Sequence, residues 1–199
     1  SRHFRVTAPD LPGFGGSGPI PAAWSVGEYA DWLEGFLKER GIVFPCVIAH
    51  SFGGRVAIKC LARGLFDRAV LTGCAGIVRR RTLSYHLRVK SYRLVRKFAP
   101  RFAEAKFGSA EYRSLSPLMR ESYKKIVNED LREEAKRIAR PVLYLNGERD
   151  RETPLSSVRI LHECTAGSRL AVLKGCGHFA HLEEPLLFDL AAEEFLNDA

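Results

Sequence analysis

Ala49-His50-Ser51-Phe52-Gly53-Gly54 lies between an apolar run, Pro45 to His50, and a helically periodic segment, Phe52 to Arg63, with Val56, Cys60 and Leu61 as its core residues. The run reads as a strand and the segment as a helix, so the hexapeptide is a strand-to-helix turn. Such a turn holds a side chain up at a strained apex and puts the next backbone N–H at a helix N-terminus, where developing negative charge is favoured. Small residues must flank the apex because the chain passes close to itself, and Ala49 and Gly53 occupy those places. The usual pattern has glycine at both, so Ala49 departs by one methyl. Ser51 is the candidate nucleophile and the Phe52 N–H a candidate oxyanion donor. The bland alternative is a serine that caps the helix.

Outward from this turn, strands and helices alternate. Strands are expected at Phe4–Ala8, Pro45–His50, Arg68–Thr72, Pro141–Asn146 and Arg169–Leu173. Helices are expected at Val26–Arg40, Phe52–Arg63, Thr82–Phe98, around Ser116–Arg140, at Leu155–Glu163 and at Pro185–Asn197. This alternation implies an α/β fold with a mostly parallel sheet covered on both faces. Ligands of such sheets bind beyond the carboxyl ends of the strands, so the loops after each strand are where chemistry is expected.

Two of those loops carry the complement of Ser51. Gly147-Glu148-Arg149-Asp150 follows one strand, and an acid there can orient an imidazole and stabilise its charged form. Glu148 and Asp150 compete for this role, with Asp150 favoured because the turn opened by Gly147 carries it over the strand ends. Gly175-Cys176-Gly177-His178 follows the last strand, and a general base must come within hydrogen-bond reach of the nucleophile. His178 is the candidate base. His181 and His50 read as packed residues, and Cys176 as a small loop-filling side chain. The chain order Ser, Asp, His, each after its own strand, is more specific than any single piece.

The sequence resembles the α/β-hydrolase fold family in Asp10-Leu11-Pro12-Gly13-Phe14-Gly15-Gly16-Ser17-Gly18, in the Ser51 turn, in Gly147–Asp150 and in Gly177-His178-Phe179-Ala180-His181-Leu182-Glu183-Glu184-Pro185. Val127-Asn128-Glu129-Asp130-Leu131-Arg132 is similar to a group of bacterial hydrolases of unassigned specificity. The resemblance implies a Ser51–His178–Asp150 triad with Phe52 donating one oxyanion N–H, and a mainly structural role for Asp10. It implies a hydrolase core over residues 1–75 and 137–199 and a helical cap over residues 76–136. The family also has an earlier strand ending in His-Gly, which supplies a second oxyanion donor and lies between the counterparts of Phe4–Ala8 and Pro45–His50. No such motif precedes Ser51, so an N-terminally incomplete hydrolase with half an oxyanion hole is expected, the alternative being a minimal variant whose Phe4–Ala8 strand pairs directly with Pro45–His50.

The 199 residues suffice for one sizeable domain, and an apolar fraction of 46% supports a globular core. No apolar run approaches the roughly 18 residues that span a bilayer, and no basic-then-apolar leader opens the sequence. Five cysteines in no zinc-site spacing fit small side chains in a reducing compartment, so a cytoplasmic location is expected. The net charge of +8 is concentrated: residues 79–113 hold eleven Lys and Arg against Glu104 and Glu111, and the rest is close to neutral. That pattern and the lack of a binding motif argue against nucleic acid. A basic amphipathic helix at Thr82–Phe98 fits a lid, or attraction of an anionic partner such as an acyl carrier protein or membrane surface. The expected activity is cofactor-free cleavage of a small acyl ester through an acyl-enzyme. The alternatives are hydrolysis of a carrier-linked ester, hydrolysis or lysis of a C–C bond on the same triad, and a catalytically silent binding protein.

Overall fold

The computed structural model describes residues 4–78 and 115–198. They form two compact units, residues 4–23 with 115–124 and residues 24–78 with 125–198. The basic helix expected at Thr82–Phe98 lies outside the described residues.

The larger unit is built on four parallel strands, β1 (Val47–His50), β2 (Ala69–Thr72), β3 (Val142–Gly147) and β4 (Arg169–Leu173), in the order β1-β2-β3-β4. Every residue of β2 and β3 is buried, which is why these strands are mainly apolar, with polar Thr72 and Asn146 toward their carboxyl ends. The helices are α1 (Val26–Glu39), α2 (Phe52–Ala62), α3 (Pro117–Val127), α4 (Arg132–Lys136), α5 (Leu155–Cys164), α6 (Ala180–Glu183) and α7 (Pro185–Asn197). Alternate residues of a strand face opposite sides, and the two faces of the sheet are covered differently. Val70, Leu143 and Leu145 pack against Phe188, Ala192 and Phe195 of α7. Tyr144 points the other way, where its hydroxyl meets Thr165 Oγ1 at 2.8 Å just past α5. The expected helix-covered parallel sheet is therefore present.

Two expectations change. Phe4–Ala8 forms no strand, although its composition favours one. β-propensity measures fit to neighbouring strands, and among the described residues no ladder reaches this segment, whose Val6 is exposed. The helical region around Ser116–Arg140 is two helices, broken at residues 128–131. There Glu129 accepts from Lys59 at 2.6 Å and from the Val26 N–H at 3.2 Å, while Asp130 accepts from the Val78 N–H at 2.9 Å. His181 sits on its own short helix, α6, ahead of the closing α7. The Asp10 loop is a turn as expected: its carboxylate accepts from the Gly16 N–H at 2.8 Å and its carbonyl from Ser17 Oγ at 2.6 Å.

Helix ends are satisfied by residues readable in the sequence. Ser25 and Glu28 form a capping box at the start of α1, with the Ser25 N–H donating to Glu28 at 2.5 Å. α1 is held against α2 by Arg63, which pairs with Asp31 at 2.7 Å and Glu34 at 3.2 Å, and by the edge-on rings of Tyr29 and Phe52. Among the described residues no helix is long and apolar enough to cross a membrane.

Arg68, just before β2, caps the other end of the chain. Its guanidinium donates to the carbonyls of Phe195 at 3.1 Å and Leu196 at 3.5 Å, and to that of Asp198, at the end of α7 where carbonyls lack helical partners. Arg68→Ala should lower stability by about 1–2 kcal/mol, read as a smaller urea midpoint with an unchanged slope.

Candidate active site

The turn after β1 is strained in the way its sequence suggests. Ser51 has φ +50° and ψ −111°, a conformation that costs a non-glycine residue about 1–3 kcal/mol. The turn is fixed by its backbone: the Ser51 N–H donates to Thr72 O at 3.1 Å, and its carbonyl accepts from Gly54 at 3.1 Å and Ala75 at 3.3 Å. Ser51 is the N-cap residue of α2, yet its hydroxyl makes no cap hydrogen bond. The capping alternative therefore has no support, and the strain holds up a side chain that does nothing for the helix. Phe52 follows as the first residue of α2.

Asp150 and His178 meet across the loops after β3 and β4. His178 Nδ1–H donates to Asp150 Oδ2 at 2.8 Å, and both side chains are buried. The loops are stitched together by the Arg149 N–H on Cys176 O at 2.8 Å and the Gly175 N–H on Glu148 Oε2 at 3.0 Å. Glu148, the competing acid, is thus occupied by the backbone of the base loop, while Asp150 faces the imidazole. Gly147 makes the stitching possible, because a Cβ there would sit 2.1 Å from Gly177 O and 2.5 Å from Cys176 O.

The Asp150 carboxylate is saturated with donors. Oδ1 accepts from the N–H groups of Glu152 and Thr153, each at 2.9 Å, an Asx-type turn. Oδ2 accepts from Thr153 Oγ1 at 2.6 Å besides the imidazole. Burial pushes this carboxyl up, but the Thr153 hydroxyl, His178 and the Thr153 N–H outweigh it and hold the group below its ordinary value. Asn146 braces the same loop by donating to Gly147 O at 3.1 Å and Thr153 O at 3.4 Å. Sequence patterning alone misses Thr153 and Asn146. The signal that finds the loop is an Asp followed by a helix-opening Thr-Pro pair, which marks an Asx turn.

His178 is positioned on the Ser51 side as well. Its ring lies so close to Gly73 that a Cβ there would meet Nδ1 at 3.0 Å, and Gly73 follows Thr72, the residue bonded to Ser51. His50 Nε2–H donates to His178 O at 3.0 Å, and its ring lies 4.6 Å from that of His178. Desolvation lowers the His50 pKa below the ordinary histidine value, more than its bond to His178 O raises it, so His50 is neutral near pH 7. It is a packed residue as expected, and also a tether for the base loop. His181 packs against His50 and Phe188. Cys176 is buried, and burial together with Glu183 and Glu184 pushes its thiol up, which makes it a poor nucleophile.

Ser51 and His178 share the rim above β1 and β2 without a direct hydrogen bond. The outer nitrogen of the imidazole, Nε2, faces Glu152 Oε2 at 3.5 Å. Catalytic hydrogen bonds of unliganded enzymes are often formed only with substrate. Among the described residues no group of His, Cys, Asp and Glu is arranged to hold a metal ion.

Comparison with known proteins agrees with this architecture. The sequence model of the Alpha/beta hydrolase family matches residues 1–189. The 2-succinyl-6-hydroxy-2,4-cyclohexadiene-1-carboxylate synthase of Salmonella paratyphi B is 31% identical over 204 residues, covering 88% of this chain and 77% of that protein. The 2-hydroxy-6-oxo-2,4-heptadienoate hydrolase of Pseudomonas putida is 26% identical over 223 residues, covering 98% and 79%. The solved meta-cleavage product hydrolase CumD of Pseudomonas fluorescens IP01 superposes with a TM-score of 0.73 at 25% identity, over 99% of this chain and 81% of that one.

Two substitutions test the loop pair. Thr153→Val should cost about 1–3 kcal/mol at pH 7, because it removes a hydrogen bond to a buried carboxylate. Asp150 titrates below the unfolded value of about 3.9, so its stabilisation is present above that pH and lost as pH falls through the folded value. The gap between parent and variant should therefore close on acidification, in urea titrations from pH 7 downward. Gly147→Ala should cost about 2–3 kcal/mol at every pH, because it meets backbone.

Proposed function

The chain belongs to the alpha/beta hydrolase family, and we propose that it is a serine hydrolase that cleaves esters through an acyl-enzyme on Ser51. The observation that carries this reading is the strained Ser51 turn, whose hydroxyl is not used as a cap, on the same rim as the buried Asp150–His178 pair.

In this reading His178 Nε2 takes the Ser51 proton as Oγ attacks the substrate carbonyl carbon. Asp150 holds the Nδ1–H tautomer and stabilises the imidazolium. The oxyanion forms against the Phe52 N–H at the start of α2, where the helix dipole favours it. Collapse breaks the bond to the leaving alkoxide, which receives the proton from Nε2. Water then gives a proton to Nε2, attacks the acyl carbon and releases the acid, and the proton returns to Ser51. In this reading the segment between Gly76 and Lys136 serves as the family's cap, and its basic stretch recruits an anionic carrier or surface.

A second reading is C–C bond cleavage on the same triad. It is favoured by the relatives named for a heptadienoate hydrolase and a cyclohexadiene carboxylate synthase. The two readings differ in substrate and share the nucleophile.

Ser51→Ala should lower turnover of short p-nitrophenyl esters by at least about 10³-fold and abolish labelling by a fluorophosphonate probe. Retained turnover in the variant would remove Ser51 from the mechanism. Cleavage of a vinylogous 1,5-diketo acid with no ester turnover would favour the second reading.

A further inference from the structure

Glu152 is the residue around His178 that the ester reading leaves without a role. Its backbone is fixed, because its N–H donates to Asp150 Oδ1 at 2.9 Å. Its side chain is 66% exposed, yet Oε2 lies 3.5 Å from His178 Nε2, the atom that serves the leaving group. Among the described residues no Lys or Arg forms an ion pair with it, and its carboxylate lies on the Nε2 side of the imidazole. The triad's own acid is Asp150 on the opposite ring nitrogen, so Glu152 lies on the side of the ring that the substrate approaches.

The geometry fixes how near this charge comes to substrate. A general acid protonates a leaving oxygen from about 3 Å. Glu152 Oε2 is 3.5 Å from the same nitrogen, so the leaving oxygen and the carboxylate oxygen stand no more than about 6.5 Å apart. A leaving group that turns its charged end to about that same distance from the carboxylate would change its rate about threefold in a water-like dielectric, and about tenfold where substrate excludes half of that screening.

We propose that Glu152 is a specificity-determining residue that reads the charge of the leaving group, favouring esters of cationic amino-alcohols and disfavouring those of anionic hydroxy-acids. The proposal rests on the ester reading above. An amino-alcohol ester places its ammonium beside Glu152 as the alkoxide takes the proton from Nε2. A hydroxy-acid ester places a second carboxylate there and is repelled.

The test uses three acetate esters of similar size: choline acetate, 3,3-dimethylbutyl acetate and O-acetyl-3-hydroxypropionate. In the parent protein kcat/KM should fall in that order. The ratio of cationic to anionic ester should drop about tenfold in Glu152→Gln, recover in Glu152→Asp, and shrink with added salt because the carboxylate is exposed. Comparing that ratio between parent and Glu152→Gln removes the long-range field of the +8 chain, which the two proteins share to within one charge. Ser51 labelling by phosphonothioates with thiocholine or neutral thiol leaving groups reads the same preference without ester turnover. Equal ratios, or equal labelling rates, in parent and Glu152→Gln would overturn the proposal and leave Ser51 as nucleophile. No labelling by any probe would overturn both readings.

Discussion

The geometry of the site depends on one contact between backbones, the approach of the Gly147 turn to the carbonyls of Cys176 and Gly177. Parallel neighbours β3 and β4 deliver their following loops to the same rim, and this contact locks the two loops together. The imidazole and its carboxylate inherit their 2.8 Å separation from it. Gly73, after β2, acts in the same way, letting the ring settle against the residue that follows the Ser51 partner Thr72. Positions without side chains thus place the side chains on which the proposed chemistry rests.

Burial makes that arrangement selective. Asp150 is removed from water, which alone would favour its neutral form, and three protein donors besides the imidazole keep it charged. Glu148, two residues earlier, spends its carboxylate on the Gly175 N–H. Glu152, two residues later, stays in water beside the opposite ring nitrogen. Three acids in five residues therefore meet three different environments. Their chemical type was legible in the sequence, and their environments were set by the turn.

The sheet and its flanking helices were readable because each rests on local pattern. β2 and β3 are mainly apolar since both faces are covered, with Thr72 and Asn146 only at their carboxyl ends, and α1 announces its start with Ser25 and Glu28. Phe4–Ala8 was misread because a strand requires a partner, and propensity carries no information about partners. The break in the Ser116–Arg140 region was missed for a related reason. Glu129 and Asp130 are drawn out of helix by Lys59, Val26 and Val78, all more than 50 residues away. Thr153 escaped notice because its importance lies in a bond to a side chain.

Those last backbone ties bear on how the fold can change over time. The Leu131 N–H donates to Gly76 O at 2.8 Å, and Asp130 holds the Val78 N–H, so the two ends of the intervening segment are tied to each other on the larger unit. A loop closed at its base adds only about 0.6 kcal/mol of closure entropy for each doubling of its length. Closure entropy alone therefore sets little limit on the length of what lies between these ties. A change of length there need not disturb the Ser51, Asp150 and His178 turns, none of which lies between the ties.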